Sequence, residues 1–291
     1  MFASPEQAAT ELAAVRYLAD RATATTVYLA AALQKPLLVE GPAGVGKTQL
    51  AKAVAEVTGA ALIRLQCYEG LDEARALYEW NYKKQLLRIQ ASAVATAEGR
   101  AAWEQTHDDI FTDEFLLTRP LLTAIRQAEP TVLLIDEADK TDVEVEALLL
   151  EVLSDFQVTI PELGTVTATR KPFVVVTSNA TRELSEALKR RCLYLHLDYP
   201  SPEREREIVL AQVPELESAL AEQLVRTAAT LRTLELKKAP SVAETIDWAR
   251  TLLALGIADL DEKAIAQTLG VVLKHNTDHA RAAAELGLPT G

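Results

Sequence analysis

Five short apolar runs recur along the first 200 residues, and longer segments with helical spacing of apolar residues separate them. Runs this short, with little polar alternation, are typical of parallel strands that are buried on both faces. The strands predicted in this way are Pro36–Glu40, Ala61–Cys67, Thr131–Ile135, Phe173–Thr177 and Leu193–Leu197. Because strands alternate with helices, the pattern predicts an α/β domain with a parallel sheet.

The helical segments carry recognisable start and stop signals. Ser4 can cap a first helix, Pro5 suits its first position, and Gln7 completes a capping box. The Ala- and Leu-rich sequence that follows predicts helix as far as about Leu33. Further helices are predicted at Gln49–Thr58, which stops at Gly59, and at Pro120–Ala128 and Val143–Leu153.

Two segments, near residues 68–118 and 156–168, interrupt this alternation. The first is too long for a plain crossover, so we interpret it as an insertion. It contains helical pieces and a polar, acidic patch, at Asp72–Trp80, Lys83–Ala97 and Glu104–Glu114. The second has two β-prone runs that flank a turn, Gln157–Pro161 and Gly164–Ala168, which predicts a β-hairpin.

The sequence changes character near residue 200. Pro200-Ser201-Pro202 is typical of a linker, and the pattern after Glu203 is helical throughout, with breaks at Pro214, Pro240 and Gly256. We therefore expect an α/β domain over residues 1–200 and a small all-helical domain over residues 201–291.

Composition narrows the class of protein. Apolar residues make up 49% of the 291 residues and charged residues 25%, which is typical of a folded globular protein. No apolar run approaches the roughly 18 residues that a membrane-spanning helix requires, and the N-terminal sequence lacks the features of a secretory signal. Two cysteines in unrelated segments fit a reducing, cytoplasmic setting. A formal net charge of −12 disfavours a broad basic surface for nucleic acid and mildly favours protein partners.

A glycine-rich segment between the first strand and the next helix matches the pattern G-x-x-x-x-G-K-[ST] of a phosphate-binding loop. Its glycines allow backbone N–H groups to surround phosphate oxygens, and the helix that begins there adds its positive end. Lys47 can reach the β- and γ-phosphates, and the Thr48 hydroxyl can bind Mg²⁺. The residues expected to bind ATP are Gly41, Pro42, Ala43, Gly44, Val45, Gly46, Lys47, Thr48 and Gln49.

Two acidic residues follow the strand Thr131–Ile135. This strand brings Asp136 to the carboxyl end of the sheet, beside the phosphates, where it would hold Mg²⁺ together with Thr48. The adjacent Glu137 would orient and activate the attacking water. The pair therefore predicts hydrolysis of a nucleoside triphosphate.

Polar and basic residues follow the later strands. Asn179 comes directly after the strand Phe173–Thr177, where its amide can bind the γ-phosphate or the water; the alternative is an Asn that only forms a turn. Arg190 and Arg191 precede the last strand. They are either a solvated helix end or an arginine finger that reaches a nucleotide bound by a neighbouring subunit.

These residues alone leave two other functions open. A small-molecule kinase with a phosphate-binding loop would need an acceptor pocket and a mobile basic lid, and the Asp-Glu pair favours water as the acceptor instead. A nucleic-acid motor or clamp loader would need a basic stripe, which the acidic balance disfavours.

Taken together and in this order, the motifs resemble those of the AAA+ ATPases over roughly residues 33–260. Within that group the chain resembles the MoxR family, in the acidic motif that begins at Asp136, in the hairpin near 156–168 and in the insertion after the second strand. Strings that resemble its CoxD-like branch are Leu65–Gly70, Trp80–Gln85 and Arg190–Tyr194.

The resemblance implies a five-stranded parallel sheet of order 5-1-4-3-2 with a helical lid, and a ring homo-oligomer, usually a hexamer. It makes Glu137 the catalytic base, Asn179 the first sensor and Arg191 the finger, with Arg190 as the neighbouring candidate. CoxD-like members assist maturation of molybdenum–copper carbon monoxide dehydrogenase, often beside a von Willebrand A-domain partner. The resemblance therefore implies ATP-driven, chaperone-like remodelling of a client protein.

One departure from the family concerns the lid. The family often places an Arg, the second sensor, at the start of a helix that corresponds to the region after Ser241. No Arg stands at Val242 or Ala243. Either Lys237 or Lys238 substitutes for it, or lid closure is sensed differently.

Overall fold

A computed structural model describes residues 1–95 and 109–288 of the chain. Its centre is a five-stranded parallel sheet in the order β2-β5-β8-β1-β9. If only these five strands are numbered, from 1 to 5 in chain order, the sheet reads 5-1-4-3-2 from β9 to β2. The predicted strand order is therefore confirmed. The strands of the structure are β1 Leu37–Glu40, β2 Ala61–Gln66, β3 Tyr78–Trp80, β4 Leu116–Thr118, β5 Thr131–Asp136, β6 Gln157–Ile160, β7 Gly164–Thr167, β8 Phe173–Ser178 and β9 Leu193–His196.

Helices cover both faces of the sheet, and further helices follow it. Those that precede or pack on the sheet are α1 Pro5–Ala14, α2 Arg21–Leu33, α3 Lys47–Thr58, α4 Glu73–Ala76, α5 Tyr82–Ala95, α6 Pro120–Arg126, α7 Val143–Asp155 and α8 Glu186–Arg191. Those that follow the sheet are α9 Pro202–Gln212, α10 Ser218–Thr233, α11 Val242–Ala254, α12 Glu262–Thr268 and α13 Asn276–Glu285. Among the described residues, none of these helices is both long and apolar enough to cross a membrane.

Successive side chains of the central strands alternate between two hydrophobic clusters, one on each face of the sheet. In β5, Val132 and Leu134 pack with residues of α1, α2 and α3, whereas Leu133 and Ile135 pack with residues of α6 and α7. A third cluster joins the helices after Pro202, with Trp248 fully buried in it. The two clusters therefore hold the central strands in place, and the carboxyl ends of these strands face the helices that follow the sheet.

The N-terminal helix is shorter than the sequence predicts. Instead of one helix to Leu33, the chain forms α1 and α2, and Arg16 between them has a left-handed backbone with φ 64°. Asp20 caps α2 by accepting from the Thr23 N–H at 2.7 Å, so a local cap overrides the Ala-rich helical pattern. The capping box at the start of α1 is incomplete, because Gln7 accepts from the N–H of Ala3 rather than that of Ser4.

The insertion contains a small sheet that the sequence did not predict. The helix expected at Asp72–Trp80 ends at Ala76, and β3 pairs antiparallel with β4. Trp80 packs edge-to-face on Phe111 with ring centroids 5.1 Å apart, so tertiary packing overrides helical spacing here. The end of the helical piece predicted at Lys83–Ala97 and the first part of the acidic patch at Glu104–Glu114 lie outside the described residues.

Two antiparallel strands, β6 and β7, form a hairpin between α7 and β8. Its register pairs Gln157 with Thr167 and Ile160 with Gly164. Val158 and Ile160 are buried, and both belong to the cluster on the α7 side of the sheet. Val166 of β7 and Leu163 of the turn pack against the same cluster, so both strands fix the hairpin beside the sheet.

Candidate nucleotide-binding site

The loop between β1 and α3 follows the carboxyl end of the sheet at its centre. Gly41, Gly44 and Gly46 all have positive φ, of 153°, 75° and 103°. A side chain at Gly41 would meet the carbonyl oxygen of Leu197 at 1.9 Å, so both backbone angle and space require glycine at this position. The loop then enters α3 at Lys47, and the first N–H groups of that helix lie beside the cavity.

Lys47 is buried beneath the loop. Its ammonium donates to the carbonyl oxygens of Gly41 at 2.6 Å and Pro42 at 2.7 Å, and to Asn179 Oδ1 at 2.8 Å. Burial lowers the pKa of Lys47, and the carboxylates of Asp139 and nearby acids partly oppose this. The ammonium thus joins the phosphate-binding loop to the end of β8.

Asp136 ends β5 and is almost wholly buried. Its Oδ1 accepts from the hydroxyls of Thr48 at 3.0 Å and Thr177 at 2.6 Å. Its Oδ2 accepts from Arg64 on β2, through Nε at 3.0 Å and Nη2 at 2.5 Å. Partners on α3, β8 and β2 therefore fix both oxygens of this carboxylate.

Glu137, the next residue, has a left-handed backbone with φ 59° and ψ 47°. This region is uncommon for a residue other than glycine, and such strain is often found at functional sites. The backbone N–H of Glu137 donates to Thr177 Oγ1 at 2.9 Å. Its Oε2 accepts from Gln66 Nε2 at 2.9 Å and Lys140 Nζ at 2.7 Å. The turned backbone presents the carboxylate to the cavity that Lys47 also lines.

Asn179 lies one residue beyond the end of β8, between Lys47 and Glu137. Its Oδ1 accepts from Lys47, and its Nδ2 donates to Glu137 Oε1 at 3.4 Å. The structure thus brings three of the predicted residues into one hydrogen-bonded group.

A cavity of about 820 Å³ opens above these residues. From the loop it is lined by Ala43, Gly44, Val45, Gly46, Lys47, Thr48 and Gln49, whereas Gly41 and Pro42 contribute the carbonyls that hold Lys47. On the opposite side it is lined by the segment 16–20, by residues 196–201 and by α9 and α11. A nucleotide would therefore lie between the sheet and the helices that follow it.

The helical side touches the phosphate loop directly. The N–H of Ala243 donates to the carbonyl oxygen of Gly44 at 3.1 Å. A side chain at Gly44 would lie 2.2 Å from Ser241 Oγ, so the helix cap and the loop are in close contact. Ser241 and Glu244 form a complete capping box at the start of α11.

The sequence offers four basic candidates for the site outside the phosphate loop, and all four lie away from this cavity. Arg190 and Arg191 are exposed at the end of α8, and Arg191 donates to Ser154 Oγ at 2.6 Å. Lys237 and Lys238 do not line the cavity either, and Lys238 pairs with Glu244 at 2.7 Å. From the helices that follow the sheet, Arg204 on α9 and Arg250 on α11 line the cavity instead, and Arg16 lines it from the segment 16–20.

Sequence reasoning missed Arg64, which binds Asp136, Gln66, which binds Glu137, and Thr177, which binds both acids. A signal was present for the first two, because polar residues two apart on a strand share one face. Arg64 and Gln66 stand in this relation on the otherwise apolar β2. Thr177 gives no such signal, because it stands at the end of an apolar run.

The donor set of this site fits ATP and Mg²⁺. Oxygen ligands suit Mg²⁺, and the oxygens of Thr48 and Asp136 already lie 3.0 Å apart. Lys47, the N-terminus of α3 and the guanidinium groups of Arg204 and Arg250 favour an anionic ligand in the cavity. The glycines leave room for phosphate oxygens to approach the backbone closely.

Comparison with known proteins identifies the family. The pattern of the AAA domain, dynein-related subfamily, matches residues 36–192. The chain belongs to this family. The matched segment of this AAA protein runs from the start of β1 to the end of α8, so it contains the phosphate loop, Asp136, Glu137, Asn179 and both arginines of α8.

This AAA protein is also similar to uncharacterized proteins of Staphylococcus aureus strains NCTC 8325, COL and MSSA476. Each is 27% identical over 230 residues, which cover 77% of this chain and 77% of the relative. The similarity therefore extends beyond the matched AAA segment.

Proposed function

We propose that this AAA protein hydrolyses ATP to ADP and phosphate. The observation that carries the proposal is the hydrogen-bonded group in which Lys47, Asn179 and Glu137 meet at the mouth of the phosphate loop. An ammonium, an amide and a carboxylate are the groups needed to bind a γ-phosphate, position a water and accept its proton.

Each residue has one role in this mechanism. The loop N–H groups and Lys47 bind the phosphates, and Thr48 and Asp136 would hold Mg²⁺. Bound Mg²⁺ would neutralise negative charge on the phosphate oxygens. Asn179 orients the attacking water through its amide. Glu137 accepts the proton of that water at Oε1, the oxygen that faces Asn179.

The resemblance of the motifs extends the proposal to assembly. Because AAA proteins typically form rings, we propose a ring homo-oligomer, a hexamer by resemblance, in which Arg191 enters the site of the neighbouring subunit. The position supports this role, since Arg191 is exposed and does not line the cavity of its own chain. Arg190, one residue earlier, is the alternative. The division into an α/β domain over 1–200 and a helical lid over 201–291 belongs to the same proposal.

The biological role proposed is that of a MoxR-type ATPase that remodels a client protein. The matched AAA family includes MoxR-like ATPases, and the hairpin of β6 and β7 supports this branch. By the CoxD-like resemblance, the client is a metalloenzyme such as carbon monoxide dehydrogenase, reached through a von Willebrand A-domain partner.

The substitution Glu137→Gln tests the proposed chemistry. Because the amide cannot accept the proton, we expect kcat for phosphate release to fall by about 10²- to 10⁴-fold. Binding of a fluorescent ATP analogue should persist. The control is Glu151→Gln, which neutralises an exposed carboxylate near the end of α7 and should leave both values unchanged. Normal hydrolysis by Glu137→Gln would show that the assigned base is wrong. Phosphate release is measured without any added acceptor, so a kinase would show none.

A further inference from the structure

The segment that carries Asn179 makes a strained turn as it leaves β8. Ala180 has a left-handed backbone with φ 56°, which residues with a side chain rarely adopt. Its own N–H donates to Ser178 Oγ at 3.0 Å. Such a turn persists when surrounding contacts hold the residues on either side of it.

Asp139 provides those contacts. This buried carboxylate follows Glu137 by two residues, and it accepts from the backbone N–H of Asn179 at 3.1 Å. It also accepts from the backbone N–H of Thr181 at 3.0 Å and from its hydroxyl at 2.6 Å. The three hydrogen bonds therefore bracket Ala180 from both sides.

The negative charge of Asp139 strengthens its hydrogen bonds to the turn. Burial raises the pKa of Asp139, but the hydrogen bonds from Thr181 and Asn179 outweigh burial and hold the pKa below its usual value. A carboxylate that accepts several backbone N–H groups forms strong, charge-assisted hydrogen bonds.

We propose that Asp139 is a positioning residue for Asn179. It holds the strained turn so that the amide of Asn179 stays between Lys47 and Glu137. The inference rests on the proposed hydrolytic function, because it assumes that Asn179 positions the water. It assigns a role to an acidic residue that neither binds the metal nor touches the substrate.

Two neighbouring acids of the same segment, Glu146 and Asp142, make contacts away from the turn. Glu146 is also buried, but it binds Arg182 and accepts from the Ser185 N–H at 2.9 Å, beyond the turn. Asp142 is exposed and caps α7 by accepting from the Val145 N–H at 3.2 Å. Asp142 therefore offers a matched control, three residues from Asp139, whose loss affects helix stability alone.

A double-mutant cycle between Asp139→Asn and Asn179→Ala tests the proposal. Asp139→Asn keeps the shape but turns an acceptor into a donor that faces Thr181. We expect kcat to fall by about 10- to 100-fold, as for a small displacement of a catalytic group, with KM for ATP unchanged. In the Asn179→Ala background the same change should cause no further loss. Asp142→Asn removes the same charge but keeps a side chain that can cap the helix, so it should leave both kcat and the Tm nearly unchanged.

Two further variants separate positioning from general stability. Ala180→Gly adopts a positive φ without strain, so it should restore part of the kcat lost in Asp139→Asn. Thr181→Ala removes one of the three hydrogen bonds and should give a smaller loss, again absent in the Asn179→Ala background. This milder variant keeps the test decisive if Asp139→Asn does not fold.

The outcomes distinguish the two hypotheses. If Asn179→Ala hydrolyses ATP normally, the role of Asn179 in the proposed function is wrong. If Asn179→Ala is impaired but the losses from the two sites multiply, Asp139 does not act through Asn179 and the positioning role is overturned. Failure of Ala180→Gly to restore any activity would count against the turn as the link.

Discussion

The two sides of the cavity are built in different ways. On the sheet side, side chains from α3 and from the ends of separate strands bind one another: Lys47 reaches Asn179, and Asp136 accepts from Thr48, Thr177 and Arg64. On the helical side, α11 touches the phosphate loop through one backbone hydrogen bond and a serine packed against glycine. The first arrangement depends on charge and direction, and the second depends on shape.

This difference assigns hydrolysis to the sheet side and closure over the nucleotide to the helical side. Directional hydrogen bonds between buried groups fix atoms relative to one another, which hydrolysis requires. A contact between small residues fixes only how closely two surfaces approach. Substitutions on the sheet side should therefore change kcat, and substitutions on the helical side should change nucleotide affinity.

The largest predicted effect tests whether one chain supplies all the catalytic residues of its own site. If Arg191 acts on the neighbouring subunit, Arg191→Ala should lower kcat by about 10³-fold or more. Lys47→Ala should be inactive because it cannot bind the phosphates. Mixing the two variants should restore part of the phosphate release, since some interfaces then combine an intact site with an intact finger.

Absence of rescue at every mixing ratio would contradict a finger acting in trans. The same mixture made with Arg190→Ala shows which of the two arginines is used. Size-exclusion chromatography of each variant shows whether the assembly itself has been lost.

The next largest effect concerns the contact between Gly44 and Ser241. Gly44→Ala introduces a side chain 2.2 Å from Ser241 Oγ at a backbone φ of 75°. To relieve this clash the loop must move away from Ser241, which displaces the N–H groups that would bind the phosphates, so ATP affinity should fall by about tenfold or more. Affinity is measured by titration with a fluorescent nucleotide.

Gly59→Ala is the matched control for this substitution. Gly59 has a similar φ of 60°, but nothing lies within 4 Å of the added side chain. It should lower the Tm without changing affinity. Equal losses of affinity in both variants would show that backbone strain, and not the contact with Ser241, is responsible.

A smaller effect is expected from the helical side's cations. Arg250 lines the cavity from α11 and pairs with the exposed Asp247. Because the charge is exposed, Arg250→Ala should weaken ATP binding by about 0.5–1 kcal/mol, or two- to fivefold, and less at high salt. Arg226→Ala, on α10 and outside the cavity lining, should have no effect. Equal affinities for both variants would exclude Arg250 as a nucleotide contact.

The smallest effect is a pH dependence of the cap of α11. Burial raises the pKa of Glu244, but hydrogen bonds from Lys238 and Ser241 outweigh it and lower the pKa overall. The ionised form is therefore stabilised in the folded state. This contribution is present above the unfolded pKa of about 4.3 and is lost as the pH falls through the lower folded value.

Glu244→Gln keeps an acceptor for the capping box but loses the pairing with Lys238. We expect the Tm to fall by about 1–3 °C at pH 7, and the difference from the wild type to vanish in strong acid. Thermal unfolding between pH 3 and 7 measures it. A difference that persists in strong acid would show that the charge of Glu244 is not the cause.

Most of the sheet could be predicted from the sequence because its strands are short apolar runs, and the three central strands, β1, β5 and β8, are buried on both faces. The failures have a common cause, which is that local or tertiary contacts override periodicity. Asp20 breaks an Ala-rich helix by capping a new one, and Trp80 joins a strand because it packs on Phe111. Neither contact can be inferred from helical spacing.

The residues of the candidate site also fall into two groups, those that the sequence predicts and those that depend on tertiary contacts. The positions of Lys47, Asp136 and Asn179 follow from motifs at the ends of strands, and the structure brings these residues together. The contact of Arg64 with Asp136 follows only from the pairing of β2 with β5, which places Arg64 opposite Leu134, two residues from Asp136. The contacts of Asp139 depend on the turn at Ala180, which no spacing in the sequence indicates.

The attachment of segment 16–20 to α9 has a consequence for how the protein can change. Arg204 donates to the carbonyl oxygens of Leu18 at 3.1 Å and Ala19 at 3.5 Å, and Gln212 donates to that of Arg16 at 2.8 Å. Because these bonds use the backbone of the segment, they do not depend on which side chains it carries. Residues 16 and 18 can therefore diverge among descendants of this protein, and reshape the part of the cavity they line, while Arg204 and Gln212 keep the segment in place.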